Sequence, residues 1–557
     1  MAANGKALCD RYDRLWQAAS THFTFCDEMA PFIAPSRVGI RTIRQPGTTQ
    51  TSGVYDSTSL MAAELMAQFI SSYTMNPAQQ WGGMRMRNPQ FRDDDAVNEW
   101  LEECRDRQLA SFRDSLFYAE GPESQIDWVG FGTGCLIADE VPRGSVRAPA
   151  TGFRGFRYEA QRTGRFVIAE GPDGLIDTLM RTMTLTADTL QRRWGDGPLP
   201  EKVTRAIQEK KLDETFSVLH AVYPRSESER RYAGGAKGMP WASCWVERDS
   251  KQVLGESGYR VFPGAVSRYH RTPGEVMGRG RGHIAFPDTW TLSQAKRMSL
   301  EDFALKIQPP VLARHDSVMG TLRLVPAGYT SINTHGRSIQ DSIQPWQTGS
   351  HPEVSQINEE ALRKSIRQIF FVEQILALME VNKSEMTAFE FSKKLELLFR
   401  LLGPVYGRQE REFLHQIWDH SFDLHLAHGL FSPPPPALEA MDGDIETVFE
   451  NPLAKAQRSA DVESVTLAVQ DLTPFATVFP QIMDGFDPDK LRKHIFAVRG
   501  VPAIVARNDD EIAAVRAERL KSQQDEQMLA QAGQVAEAAK NTAPLLKVLQ
   551  GGQQGAA

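Results

Sequence analysis

The sequence predicts an α+β fold, with helices at both ends and an antiparallel or mixed sheet between them, and three observations carry that prediction. Apolar residues recur at helical spacing over Lys6 to Ile33, from Ser57 towards Asn76-Pro77, over Asp93 to Glu120, from Asp288 to Gln308, and from Ser355 to His428. Between Gly130 and Val246 the period shortens to that of strands, broken by glycine and proline turn signals. These strands follow one another with one helix inserted, unlike the regular strand–helix alternation of a parallel sheet.

In chain order, Leu8, Tyr12, Leu15, Trp16 and Ala19 mark one face of the first helix, which must end before Pro35. The polar strip Arg44 to Thr58 reads as an extended surface arm. Asp56 or Ser57 is placed to cap the second helix, which carries Leu60, Leu65 and Phe69. The third helix has charge on one face and Trp100, Leu101, Leu109, Phe112 and Leu116 on the other. From Asp127 the period changes, and Gly130-Phe-Gly-Thr-Gly-Cys135 reads as glycine-permitted backbone entering a buried strand. Further strands are predicted at Phe166–Ala169, Leu179–Leu185, Phe216–Tyr223 and Ala242–Glu247, with Thr186 to Trp194 as the inserted helix.

From Asp288, a reasonable N-cap, Leu292, Ala295, Ser299, Phe303 and Ile307 line a helix that Pro309-Pro310 stops. The excursion to Pro352 carries β-like pieces, Val311-Leu312 and Thr321 to Val325. The returning helix has Ile357, Ala361, Leu362, Ile369, Phe370 and Leu376 as its stripe, so the whole describes a stalk with a tip. A short polar turn around Val381 to Glu385 precedes the long helix from Thr387, which Gly403-Pro404 should kink or break. Pro433 to Pro436 marks a boundary. Beyond Asn508 a weakly apolar helix leads to the tail Gly551 to Ala557, expected to be disordered.

Composition bounds the function classes. At 557 residues the chain has room for two to four domains, and 41% hydrophobic with 24% charged residues is a globular balance. A net charge of −7 argues against a protein that coats nucleic acid. Five cysteines (Cys9, Cys26, Cys104, Cys135, Cys244) without a C-x-x-C pair fit buried, reduced thiols. With no apolar leader after Met1 and no run of roughly 18 apolar residues, a soluble, intracellular chain is expected.

Motifs for chemistry are sparse. There is no G-x-x-x-x-G-K-[ST] phosphate loop and no G-x-S-x-G nucleophile elbow. Gly278-Arg-Gly-Arg-Gly282 lacks dinucleotide-binding spacing and reads as a sharp turn feeding the Asp288 helix. His415, His420, His425 and His428 share one helix but lack the H-E-x-x-H spacing of a zinc protease, so they read as a polar face. Asp10, Asp13, Glu28 and Asp93 to Asp95 read as solvated faces and caps. No catalytic residue, metal or cofactor is assigned, and a non-enzymatic role is expected. Lys383, between Asn382 and Ser384, is by itself an ordinary solvated lysine.

Several words together resemble the portal, or head-to-tail connector, proteins of short-tailed bacteriophages. They are Tyr55-Asp-Ser-Thr58 with Asn76-Pro77 and Trp81; Asp127-Trp-Val-Gly-Phe-Gly-Thr-Gly-Cys135; Gly278-Arg-Gly with Phe286-Pro-Asp288 and Gln308-Pro-Pro-Val-Leu312; Met386-Thr-Ala-Phe-Glu390 with Leu401-Leu-Gly-Pro-Val405 and Arg408; and Gly500-Val-Pro502 with Asp510-Glu511 and Arg516. Met277 departs from the pattern, standing where an aromatic is usual.

The resemblance implies a closed ring of about twelve identical subunits around a channel. Within each subunit it implies a wing (1–287), stem helix 1 (288–308), a clip (309–352), stem helix 2 (353–378), a tunnel loop (379–386), a kinked wing helix (387–428) and a helical crown (429–557). Asn382, Lys383 and Ser384 would then face double-stranded DNA in the channel. Arg314, Arg323, Tyr329, Arg337 and Trp346 would serve the clip in docking the terminase large subunit and later the tail adaptor. Scaffolding and major capsid proteins are further implied partners, and the implied location is the capsid portal vertex, after assembly in the host cytoplasm. Two other classes compete: a tail adaptor or scaffold-like virion protein, against which the sheet counts, and a soluble enzyme with an unrecognised site, which would be expected to be a smaller oligomer.

Overall fold

The computed structural model describes residues 4–42, 47, 51, 53–88, 94–142, 145, 153–231, 234–307, 309, 311–313, 333, 336, 338, 343–345, 352–379, 388–439, 445–449, 465–472, 474, 487–499, 511–525 and 528. They form an α+β chain in which every pairing between the strands discussed below is antiparallel.

The helix predicted over Lys6 to Ile33 is two, α1 (Gly5–Ala18) and α2 (Ser20–Ile33), interrupted at Ala19. Asn4 caps the first, its Oδ1 accepting from Ala7 N at 3.3 Å. In α3 (Thr58–Thr74) the N-cap residue is Ser57, whose side chain makes no capping bond, and Asp56 before it supplies one instead, its Oδ1 accepting from Thr58 N at 2.9 Å. A short strand β1 (Gly82–Met86) precedes α4 (Asp95–Asp114). The next helix, α5 (Phe117–Phe131), corrects the sequence reading, in which the period changes around Asp127 and glycine-permitted backbone begins at Gly130. Glycine and proline lower the helix propensity of α5, but Ser124, Gln125, Trp128, Val129 and Phe131 are all buried, and packing overrides propensity. The helix stops only at Gly132, in the left-handed region at φ 88°, and β2 (Thr133–Glu140) follows at once.

Strand β2 is the centre of a three-stranded sheet with β3 (Phe156–Ala160) on one side and β9 (Gly264–Arg268) on the other. The intervening β4 (Phe166–Glu170), β5 (Ile176–Thr186), β6 (Thr215–Pro224), β7 (Trp241–Glu247) and β8 (Val253–Tyr259) make a five-stranded meander in chain order. The four strands predicted between Phe166 and Glu247 lie in it. Two helices, α6 (Ala187–Trp194) and α7 (Glu201–Gln208), interrupt it between β5 and β6 and bury Ala187, Leu190, Val203 and Ala206 against Val218 and Trp245. A one-turn helix, α8 (Glu227–Arg231), follows β6.

The two glycine words of the sequence are partners. A Cβ on Gly132 would lie 2.3 Å from Gly280 N, one on Gly278 2.2 Å from Gly132 O, and one on Gly282 2.3 Å from Gly130 O. No side chain fits there, so glycine is demanded by close backbone approach. Tyr269 N donates to Gly132 O at 2.8 Å, and Gly278 N to Thr133 Oγ1 at 2.8 Å, which completes the junction.

From this junction rises α9 (Arg281–Ile307), seven residues earlier than predicted. Asp288 is therefore no cap; its Oδ2 accepts from Ser365 Oγ at 2.6 Å. After α9 the strands β10 (Val311–Ala313) and β11 (Ile343–Pro345) pair, Val311 opposite Pro345. The returning helix is also two, α10 (Pro352–Ile369) and α11 (Val372–Met379), broken at Phe371, whose φ is +56°. Next, α12 (Ala388–Gln409) passes through Gly403-Pro404 without interruption. The irregularity comes later, as a π-helical turn (Glu410–Leu414) before α13 (His415–Ala427).

Two compact units divide the chain: residues 1–84, 103–433 and 446–456 form one, and 85–102, 434–445 and 457–557 the other. The polyproline run holds one boundary, as expected. In the second unit, helices at Pro488–Arg499 and 511–525 are linked by Arg516 to Asp489 at 2.7 Å.

Candidate assembly surface and buried anchors

The candidate site is a surface presented by the α9–α10 pair, so its construction matters more than any catalytic geometry. The two helices are registered by a buried polar seam. Glu359, only 2% exposed, accepts from Ser299 Oγ at 2.8 Å and Lys296 Nζ at 3.2 Å, and Arg363 pairs with both Glu359 (3.2 Å) and Asp56 (3.0 Å). Burial pushes the Glu359 carboxyl up, but the bonds from Ser299 and Lys296 and the charges of Lys296 and Arg363 outweigh it and hold it below the usual carboxylate range.

In the C-terminal half of α9 most of the apolar residues are bare. Of the predicted stripe, Leu292 is buried, but Phe303 is 62% exposed and Ile307 63%. Met298 at 66% and Ile357 on α10 at 70% extend the patch, with Trp290 also exposed. At about 100° per residue, Trp290, Met298, Phe303 and Ile307 point to several sides of the helix. A helix apolar on several sides belongs in an interior, and this one lacks its covering.

The residues proposed from the sequence for channel and docking roles, Asn382, Lys383 and Ser384 and Arg314, Arg323, Tyr329, Arg337 and Trp346, lie outside the described residues. What is described is their setting: β10 and β11 close the base of the 309–352 excursion, and α11 and α12 flank the 380–387 turn.

Sequence reasoning assigned all four α13-region histidines to a polar face, which fits the exposed His428 but not the buried pair. His420 and His425 are each 1% exposed. His425 donates from Nδ1 to Ser421 O at 2.7 Å and takes Ser111 Oγ at Nε2 (2.8 Å), with its ring stacked on Phe431. His415 meets Phe449 edge-on, and His428 lies 3.7 Å from Glu140. They form no metal cluster. Elsewhere three residues do converge, His22 and Cys26 on α2 and His283 on α9. Their separation in the chain hid them from a spacing search.

A buried ionic anchor was also missed. Arg268 on β9 is 1% exposed and donates to Glu412 (2.6 Å from NH2), to Glu170 and to Gly174 O (3.0 Å). Its own N–H also reaches Glu412 Oε2 at 2.8 Å. The π turn buries Glu412, Phe413 and Leu414 consecutively, which a regular helix turning about 100° per residue does not readily do. No motif announces such a turn.

All five cysteines are buried and unpaired. No helix among the described residues is long and apolar enough to cross a membrane. Two portal-named phage proteins are similar to the chain nearly end to end. A probable portal protein of Bordetella phage BPP-1 is 24% identical over 541 residues, 96% of this chain and 94% of that protein. A portal protein of Salmonella phage epsilon15 is 24% identical over 497 residues, 87% and 86% of the two chains. The family model described as bacteriophage head to tail connecting protein matches residues 5–506, and the chain belongs to that family.

Proposed function

We propose that this chain is the subunit of a portal ring of about twelve copies, set at one capsid vertex, through which double-stranded DNA is packaged and ejected. The observation that carries the reading is the apolar surface of α9, bare on several sides of one helix in a family that joins head to tail. A subunit in a cyclic ring has a different neighbour on each side, and such a surface suits that heterologous contact.

On this reading α9 and α10–α11 form the stem, 309–352 the clip, 379–386 the tunnel loop, residues 1–287 with 387–428 most of the wing, and 429–557 the crown. Arg314, Arg323, Tyr329, Arg337 and Trp346 would present a near-neutral clip surface to the terminase large subunit during packaging and to the tail adaptor afterwards. Capsid and scaffolding proteins would meet the ring in the host cytoplasm before it resides in the virion. The role is structural and not catalytic. A net charge of −7 per copy favours a channel along which DNA slides without being gripped.

Native mass spectrometry and negative-stain microscopy of the full chain test this. A closed ring with a central hole is expected, directly or on addition of scaffolding and capsid proteins. A chain that stays monomeric or dimeric under both conditions overturns the reading.

A further inference from the structure

We propose that His22, Cys26 and His283 form a zinc site that ties α2 to the root of α9. His22 and Cys26 stand four residues apart on α2, with His22 Nε2 and Cys26 Sγ separated by 3.4 Å. His283, in the first turn of α9, lays its ring against that of His22, centroids 5.4 Å apart and planes 23° from parallel. One ligand atom from each of the three lies within 4.8 Å of the others. Zinc bonds of about 2.3 Å to sulfur and about 2.0 Å to nitrogen, arranged tetrahedrally, set ligand atoms roughly 3.5 Å apart. The His22–Cys26 pair already has that spacing, and small side-chain rotations bring in His283.

The donor chemistry is that of zinc. Two imidazoles and a thiolate are too soft a set for magnesium or calcium, and three protein ligands leave a fourth position for water. An imidazole with its ordinary pKa of about 6.5 is mostly neutral at pH 7 and keeps a ring-nitrogen lone pair for a metal. Glu275 and Arg279, the ionic neighbours of the two rings, pair with each other at 2.6 Å, while the carboxylates of Asp127 and Asp27 act on Cys26.

An independent observation points to a ligand. His283 Nε2 is buried with no hydrogen-bond partner, a costly condition for a polar atom. His283 Nδ1 accepts from Gly280 N–H at 3.2 Å, so coordination at Nε2, which moves the ring proton to Nδ1, gives up that hydrogen bond and requires the ring or the Gly280 amide to shift. Cys26 is 0% exposed and its thiol, pushed up by burial, is protonated without metal. Zinc therefore displaces that proton: the S–H bond breaks, a Zn–S bond forms, and one proton leaves to solvent.

The test uses the full-length chain stripped with chelator and titrated with cobalt(II), which reports thiolate coordination by a near-ultraviolet charge-transfer band. The band is expected to saturate at one equivalent per chain, with about one proton released. It should vanish in Cys26→Ala and need at least roughly tenfold more metal in His283→Asn, as loss of a coordinating or orienting group demands. Zinc should raise the melting temperature of the parent chain and not that of Cys26→Ala. Circular dichroism checks that each variant folds; if Cys26→Ala does not, the parent spectrum and His283→Asn decide. A parent chain that shows no charge-transfer band, or a band that survives in folded Cys26→Ala, overturns the proposal.

Discussion

Arg268 keeps its charge in the interior only because Glu412 and Glu170 surround it, and removing a partner exposes the cost of that burial. Glu412→Ala leaves a guanidinium 1% exposed with half its partners gone, and a loss of about 3–5 kcal/mol is expected. Urea denaturation reads this directly, and an unchanged midpoint would show that the pair contributes nothing. His420 makes a second residue-scale prediction. Burial lowers it to about 4, against an ordinary value of 6.5, while the nearby Asp139 charge only partly opposes this. Between those values the unfolded chain binds a proton that the folded chain refuses. Stability from this group is thus complete above about pH 6.5 and falls as the pH drops towards 4, by about 2 kcal/mol at pH 5. Melting curves from pH 7 to 5 should show a shallower decline for His420→Gln than for the parent; parallel slopes would refute the assignment. Neither residue was legible in the sequence. An arginine in a strand and histidines on a helix reveal their burial only when their neighbours are known.

The elements were read more successfully, for identifiable reasons. Four of the five strands of the meander were found because alternating and β-branched runs are bounded there by strong turn signals, and consecutive strands pair with each other. Helix ends were less legible: α5 extends past Asp127 because its glycines are packed, and α9 begins at Arg281 with Pro287 inside it. The first glycine word read as the entry to a strand and the second as a sharp turn, whereas each lets the other approach. Gly132→Ala should therefore destabilise by at least about 2 kcal/mol, from left-handed strain and from a Cβ 2.3 Å from Gly280 N. Gly280→Ala should do comparable harm with no unfavourable φ, since its Cβ meets Val129 O at 2.4 Å. Gly407→Ala, in α12 with nothing near its Cβ, should stabilise by about 0.5–1 kcal/mol. Equal effects at the three positions, in thermal or chemical denaturation, would remove the close-approach argument.

At the scale of the whole molecule, the bare surface of α9 and the 380–387 turn make separable demands. If α9 is covered by neighbouring copies, Phe303→Glu, at a position 62% exposed in the single chain, should leave the monomer's stability unchanged to within about 0.5 kcal/mol while blocking ring formation. A variant that still forms rings by native mass spectrometry would move the interface elsewhere. Lys383→Glu should do the reverse. On the proposed reading one cation per subunit faces the channel, offering DNA phosphates weak contacts that salt screens over roughly 8–10 Å. Reversing that charge should leave assembly intact and reduce the efficiency or retention of packaging, most clearly at low ionic strength, where the lysine ring acts most strongly. Because the proposed stem and the proposed loop lie in one chain, the two variants divide the proposal cleanly. Loss of rings in Phe303→Glu with normal rings but poor packaging in Lys383→Glu supports both surfaces. Packaging unchanged by Lys383→Glu at every salt concentration removes the lysine from the channel and leaves the ring standing on α9 alone.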